Sequence, residues 1–380
     1  MMFSSPTLYE IVCLSALTIC FLFQMWFVFG RVFKLLLSAK NELSEFGTFT
    51  PPVSVIICAK NEVENLRQFL PSVLTQDYPD YQVVVVNDSS EDESELLLAQ
   101  LKSKYPNLYY TTIPVDKKFS HGKKLAVSIG VKAAAHDYLL FTDADCKPAG
   151  TKWLKTMVAG FADKRKEIVL GFGAYLTQKG LTNLLIRYDT FFTALQYMGF
   201  ALSKKPYMGV GRNLAYKKEL FVKNGGFRNH AKILSGDDDL FVKETATKEN
   251  VSVVTNPDAH TISIPLNTFK HWYLQKARHL TTAPFYKNSV KWELIFEPLS
   301  REIFWFFVLY MILFNNFAVA ATTFLFVNYL IKILIWKKAA KILNQGKLFW
   351  SVLVYDFIHP WILLWAFLAN KIGTKNRKWK

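Results

Sequence analysis

Residues 303–336 are almost wholly apolar. That is nearly twice the ~20 residues a helix needs to cross ~30 Å of hydrocarbon. Lipid offers backbone groups no hydrogen-bond partner, so such a run has to be helical and has to fold back on itself. Two helices joined by a tight turn near residues 319–323 are the expectation. Residues 8–30, apolar apart from Glu10, Ser15, Thr18 and Gln24, are long enough for a further span. They lack the basic start and short apolar core of a cleaved signal peptide. Residues 348–369 are apolar again but hold Asp356, His359 and Pro360. Basic residues follow each stretch: Arg31, Lys34 and Lys40, then Lys337, Lys338 and Lys341, then a tail from Lys371 to Lys380. Positive charge favours the cytoplasmic side, which puts the C-terminal end of the first span there. Basic flanks on both sides of 348–369 suit a hairpin bent at Pro360, whereas its length suits a plain span.

A composition of 51% apolar and 16% aromatic residues is rich for a soluble chain and also points to membrane contact. The formal charge of +16 suits an anionic membrane surface. Nucleic acid, the other usual partner of a basic chain, is disfavoured: there is no zinc-finger spacing, no RNA-binding aromatic motif and no concentrated basic arm. Cys13, Cys20, Cys58 and Cys146 make no metal-ligand spacing. They fit a reduced, cytosol-facing domain without structural disulfides.

Between the apolar ends the pattern changes. A polar linker closes on Pro51-Pro52, and Val53-Ser-Val-Ile-Ile-Cys58 reads as a buried strand of the parallel type. Further strands are expected at 81–86, 109–113 and 138–142, separated by helical patterns at 64–75, 91–104 and from the His121-Gly-Lys-Lys124 turn to about 135. This alternation predicts a doubly wound, mostly parallel α/β sheet. Such sheets bind ligands beyond the carboxyl ends of their strands, which is where Asp88 and Asp143 fall. Asp143 and Asp145 are one residue apart, so on a strand they share a face. Two carboxylates that close repel unless a cation lies between them, and hard oxygen donors suit Mg²⁺ or Mn²⁺ shared with a diphosphate. Farther on, a helix is expected at 151–162, a strand at 168–175 and a long aromatic helix at 181–202. The last reads as core, with a membrane-interface helix as the alternative.

Pieces at 53–62, 83–90, 121–126, 139–145, 209–216, 236–240 and 275–279 resemble, in order, the motifs of family 2 glycosyltransferases. These are nucleotide-sugar enzymes with the GT-A fold. The resemblance implies a Rossmann-like α/β GT-A domain at 50–262, after an N-terminal transmembrane anchor at 1–34. Membrane-interface helices follow at 263–300 and C-terminal transmembrane helices at 301–370. It further implies that Ala59 and Glu62 lie along the base and ribose and that Asp88 accepts from the nucleobase. Lys123 would face the diphosphate, Asp143 the ribose or metal, and Asp145 would be the direct metal ligand.

The second acidic cluster, Asp237-Asp238-Asp239, stands where the family has Glu-Asp, whose Asp is the general base. Alignment on Leu240 and Lys243 favours Asp237, and alignment on the paired acids favours Asp238. Gln275-Lys-Ala-Arg278-His279 resembles the family's Gln-x-x-Arg-Trp, with His279 in place of Trp. On a helix Gln275, Arg278 and His279 share one face, where Arg278 could hold the diphosphate while Gln275 meets the acceptor. The implied protein is a multi-pass cell-membrane, metal-dependent inverting transferase with a cytoplasmic catalytic domain. It would move a sugar from a nucleotide-sugar donor, a UDP-sugar first among them, to a lipid or glycan acceptor. A processive polysaccharide synthase and an inactive membrane scaffold are the alternatives.

Overall fold

The run Val53-Ser-Val-Ile-Ile-Cys-Ala59 forms strand β1, with every residue but Cys58 buried. The computed structural model describes residues 7–42, 49–114, 122–233, 235–314 and 317–372. His121 of the expected turn, part of the linker before β1 and the basic tail from 373 lie outside them.

β1 pairs in parallel with β2 (Tyr81–Asp88), and β2 with β3 (Leu108–Ile113). On its other side β1 pairs in parallel with β4 (Tyr138–Asp143), in a register that sets Cys58 opposite Asp143. The order β3-β2-β1-β4 reverses direction between β1 and β4, so a crevice opens at their carboxyl ends. Helices α3 (Val63–Leu74), α4 (Ser94–Lys104) and α5 (Lys123–Ala133) make the crossovers; α1 and α2 belong to the N-terminal rod described below. On α3, Leu66, Phe69, Leu70, Val73 and Leu74 are buried, at roughly 1.5–3 kcal/mol each. Val53, Val55 and Ile57 face α3, and Ile56, Val84 and Val86 face α5. Both faces are therefore covered, as a parallel sheet requires.

β5 (Cys146–Pro148) follows the acidic turn and leads into α6 (Trp153–Val158). The expected strand at 168–175 is two strands. β6 (Ile168–Leu170) joins the main sheet, and β7 (Gly173–Tyr175) joins a second, small sheet. Leu170 and Gly173 serve different partners because Gly171 N–H donates to the Asn213 carbonyl (3.0 Å), turning the chain from one sheet to the other. The main sheet is completed by β8 (Leu214–Lys217), antiparallel to both β4 and β6, and β9 (Val251–Val253). The small sheet has the order β5-β10-β7, with β10 at Thr261–Ser263.

Helix α7 (Leu181–Leu202) is core: its aromatic stripe, including Tyr188, Phe191, Phe192, Tyr197 and Phe200, is buried between the sheet and the terminal helices. Short helices α8 (Lys218–Lys223) and α9 (Asp239–Thr245) flank β8 and the acidic triplet. α10 (Phe269–His279) leads into α11 (Asn288–Phe314), then α12 (Ala318–Ile342) and α13 (Val352–Ile372). The N-terminal rod comprises α1 (Leu8–Phe27), a π-helical turn (Val28–Val32) and α2 (Phe33–Glu42). The π turn meets α7 at Gly199, where a Cβ would come within 2.7 Å of the Arg31 carbonyl oxygen. Only glycine lets the two backbones approach that closely.

Among the described residues, three helices are long and apolar enough to cross a membrane: Leu8–Ala39, Ala318–Ile342 and Gly346–Ala369. α11 ends at Phe314 and α12 starts at Ala318, earlier than the turn expected at 319–323. α13 runs straight through Pro360, so the bent-hairpin alternative is not adopted. Proline supplies no N–H to the Asp356 carbonyl one turn earlier. Arg301 Nη1 donates to that carbonyl instead (3.3 Å). Around it, Asp356 Oδ2 accepts from Lys332 Nζ (2.7 Å), which also donates to Gln24 Oε1 (2.7 Å). Arg301 Nη2 donates to Glu297 (3.0 Å). These paired charges are buried and tie α1, α11, α12 and α13 together.

Candidate active site

The crevice at the ends of β1 and β4 opens into a cavity of about 1520 Å³. Its floor carries Glu62, Lys123, Asp143 and Asp145. One wall carries Asp237, Asp238 and Asp239, and another Gln275, Arg278 and His279. Beyond these, along α11 and α13, the lining mixes the apolar side chains Leu294, Ile295, Leu364 and Phe367 with Lys291, Glu297, Glu302 and His359. Every expected site residue except Ala59 and Asp88 thus meets in one space.

Ala59 and Asp88 close β1 and β2 and are fully buried beside that space. Asp88 does not cap α4, which starts at Ser94. The two loops that follow these strands hold one another. Asn61, in the left-handed region at φ 53°, donates its N–H to Ser90 Oγ (2.9 Å) and accepts from Glu91 N–H on Oδ1 (2.7 Å). Glu62 does not cap α3 either, because Asp92 accepts from the Val63 N–H (2.9 Å). Its carboxylate faces the cavity, accepts from Asn65 (2.5 Å) and is raised by removal from water.

Lys123, first residue of α5, sits between the two acidic clusters. Its Nζ donates to Asp143 Oδ1 (2.8 Å) and lies 3.3 Å from Asp237 Oδ2. Burial alone would lower its pKa, but Asp143, Asp237 and Asp238 outweigh that and hold it well above the usual lysine value. Asp143 shows the converse: burial would raise its carboxyl, and the Lys123 ammonium brings it below the ordinary value. Asp145 lacks such a partner, so burial and the neighbouring Asp143 charge raise it.

The three acids of the triplet have different jobs. Asp237 faces Lys123. Asp238 is the N-cap of α9: its Oδ1 accepts from Asp239 N–H (2.8 Å) and its Oδ2 from Gly211 N–H (2.7 Å). Burial, with Asp237 and Asp239 alongside, pushes Asp238 up to about 7. Asp239 turns away and accepts from Thr282 Oγ1 and from Tyr286 OH (2.7 Å), in the segment joining α10 to α11.

The motif Gln275–His279 is helical, as the last turn of α10. Its second residue, Lys276, carries a contact that sequence reasoning missed. Lys276 Nζ donates to Asp189 Oδ1 of α7 (2.6 Å), which His359 Nε2 of α13 also meets (2.8 Å). Arg212, within the piece at 209–216, lines the cavity with its guanidinium 4.3 Å from the Tyr175 ring centroid.

Asp143, Asp145 and Cys146 each offer one donor atom, all within 4.8 Å of one another. Cys146 Sγ lies 2.8 Å from Ser263 Oγ and 3.4 Å from Asp145 Oδ1, and burial holds its thiol well above the usual range. The Asp143–Asp145 carboxylate pair is a donor set that fits a hard divalent cation.

A parallel sheet with its crevice at a strand-order reversal, a carboxylate pair at the central strand end and a second acidic wall define the protein as a GT-A glycosyltransferase of the family 2 type, carrying membrane-type helices. The family model described as "Glycosyl transferase family 21" matches residues 11–380, and the chain belongs to that family. It is 33% identical over 196 residues to glycosyltransferase AglE of Haloferax volcanii, covering 50% of this chain and 59% of AglE. It is 28% identical over 120 residues to the poly-beta-1,6-N-acetyl-D-glucosamine synthase of Staphylococcus epidermidis, covering 32% of this chain and 27% of the synthase. The matches thus span well under two thirds of either relative. Among solved structures, the mannosyltransferase PcManGT of Pyrobaculum calidifontis, in complex with GDP-Man and Mn²⁺, superposes with a TM-score of 0.58. That match has 18% identity and covers 94% of this chain and 100% of the other, a likeness of fold.

Proposed function

We propose that the protein is a membrane-bound, metal-dependent inverting glycosyltransferase. It takes a sugar from a nucleotide-diphosphate sugar and passes it to a lipid or glycan acceptor at the cytoplasmic face of the cell membrane. The observation that carries this reading is the cavity that joins the acidic floor to the apolar side chains Leu294, Ile295, Leu364 and Phe367 on α11 and α13. A nucleotide sugar is polar throughout, so walls of that kind belong to the acceptor side, and a lipid is the acceptor they fit best. The Mn²⁺ and GDP-Man named with PcManGT favour the same donor chemistry. UDP-sugars remain the first donors to try, on the resemblance of Asp88 to a nucleobase acceptor.

In this reading Ala59, Glu62 and Asp88 hold the nucleoside through the interlocked loops after β1 and β2. Asp145 and Asp143 hold the cation, which when bound neutralises charge developing on the leaving diphosphate. Asp238 takes the proton of the acceptor hydroxyl. It lines the cavity together with the other two acids, is fixed by two backbone N–H groups and has its pKa near neutrality, where a general base works best. Asp237 keeps Lys123 in place, and Gln275 and Arg278 face the acceptor side from α10. As Asp238 takes that proton, the acceptor oxygen forms its bond to the anomeric carbon from the side opposite the leaving nucleotide diphosphate, whose bond breaks, as inversion requires.

The test is nucleotide diphosphate release by purified full-length protein, screened across nucleotide sugars with and without a native lipid extract. Release that depends on lipid and on a divalent cation supports the reading. An inactive scaffold would give none under any condition. A processive synthase, favoured by the likeness to the polysaccharide synthase, would give release together with polymer.

A further inference from the structure

Arg212 stands in the cavity wall between the acidic floor and the small sheet, and none of the roles above uses it. Its backbone is fastened from several sides. Thr142 Oγ1, from the residue before Asp143, and Thr261 Oγ1 both donate to its carbonyl at 3.0 Å. The next residue, Asn213, is buried; its Oδ1 accepts from Trp153 Nε1 (3.1 Å), and its Nδ2 donates to the Phe172 (2.9 Å) and Ala259 (2.7 Å) carbonyls. The side chain then crosses Gly173, where a Cβ would come within 3.1 Å of Arg212 Cβ. The guanidinium lies over the Tyr175 ring, and Nη1 makes one long hydrogen bond to Ser263 Oγ (3.4 Å).

The result is a guanidinium held still by stacking and by a bolted backbone, near the Asp143–Asp145 pair, with one hydrogen bond among the described residues for its five N–H donors. A planar fork matches two oxygens of one phosphate, and fixing it in advance removes the ordering cost of binding. Resting on the glycosyltransferase reading, we propose that Arg212 is a preset fork for phosphoryl oxygens, taking either the diphosphate of the donor or a phosphate carried by the acceptor. Both sources present the same chemistry to the same side chain.

Arg212→Lys keeps the charge and loses the fork. In full-length protein in detergent with Mn²⁺, calorimetry with UDP and GDP as probes should show affinity falling about ten- to hundredfold. Affinity for the matching monophosphates and the melting temperature should hold. That pattern assigns the fork to the donor. Unchanged diphosphate binding, with KM rising for a polyprenyl phosphate acceptor and not for a long-chain alcohol, assigns it to the acceptor. Gly173→Ala, which keeps the guanidinium but displaces it, should give the same selective loss at smaller size, and it decides the matter should Arg212→Lys fail to fold. The proposal is overturned if both variants leave every probe and acceptor unchanged, or weaken all of them alike together with the melting temperature. Failure of the glycosyltransferase reading looks different: wild-type protein would bind neither diphosphate and release none from any nucleotide sugar.

Discussion

Asp238 combines a raised pKa of about 7 with a fixed position on the cavity wall. Its working form is the carboxylate, so kcat/KM should fall about tenfold per unit as pH drops below that value and level off above it. Asp238→Asn should keep donor binding and cut transfer by about 10²–10⁴-fold. Stability moves the other way. A folded-state pKa above the unfolded value means that the native form binds more protons between the two, so this group's contribution is lost as pH rises through about 7. Asn cannot ionise, and Asp238→Asn should therefore melt at a higher temperature than wild type at pH 8 and no higher at pH 4. Asp237→Asn removes one of the charges that raise Asp238 and should move the acid limb of the profile to lower pH while transfer persists; loss of transfer with Asp237→Asn and not with Asp238→Asn reverses the assignment. At the other acidic cluster, Asp145→Ala should abolish turnover with the fold intact, and excess chelator should do the same to wild type, reversibly. Turnover that survives chelator would remove the cation from the mechanism.

At the scale of elements, the legible parts of the chain were those whose information is local. Val53–Ala59 and Tyr138–Asp143 could be read as strands because burial on both faces makes them continuous apolar runs. Asp143 and Asp145 could be placed at a strand end because their spacing and the strand before them are contiguous. The three-residue strands of the small sheet were not legible, since so short a stretch has no period to detect. The joint made by Asp189, Lys276 and His359 was not legible either, because its members come from three distant helices. That joint fixes α10, and with it Gln275 and Arg278, against α7 and α13. Lys276→Met would leave the buried Asp189 charge with His359 alone. Breaking a buried pair on one side costs about 3–5 kcal/mol, so a marked fall in melting temperature is expected. Asp189→Asn in the Lys276→Met background should recover part of it. A double variant no more stable than Lys276→Met would show that the pair contributes packing and little charge compensation.

At the scale of the whole molecule, the helices that flank the cavity and the helices that pack together behind it have different interiors. Toward the cavity, α11 and α13 present Ile295, Leu364 and Phe367 around open space, with Lys291, Glu297, Glu302 and His359 among them. Behind it, the space between α1, α11, α12 and α13 is filled. Phe304, Val308 and Met311 pack against Cys13, Leu17 and Ala321, and the Arg301, Asp356 and Lys332 charges close the gap beside them. A growing polymer would need a polar passage through that filled region, and moving it would separate paired buried charges. A lipid needs only the cavity, entering from the bilayer side with its chain against the apolar wall and its polar end at Asp238. We therefore expect one sugar per acceptor. Mass spectrometry of the product from a long incubation, with donor in large excess over acceptor, should show a single added hexose-type mass and no ladder. Leu364→Trp, which fills the apolar wall without touching the acidic floor, should raise KM for a long-chain acceptor and leave hydrolysis of the donor by water unchanged. A ladder of products, or a Leu364→Trp protein indifferent to the length of the acceptor chain, would place the acceptor outside this cavity.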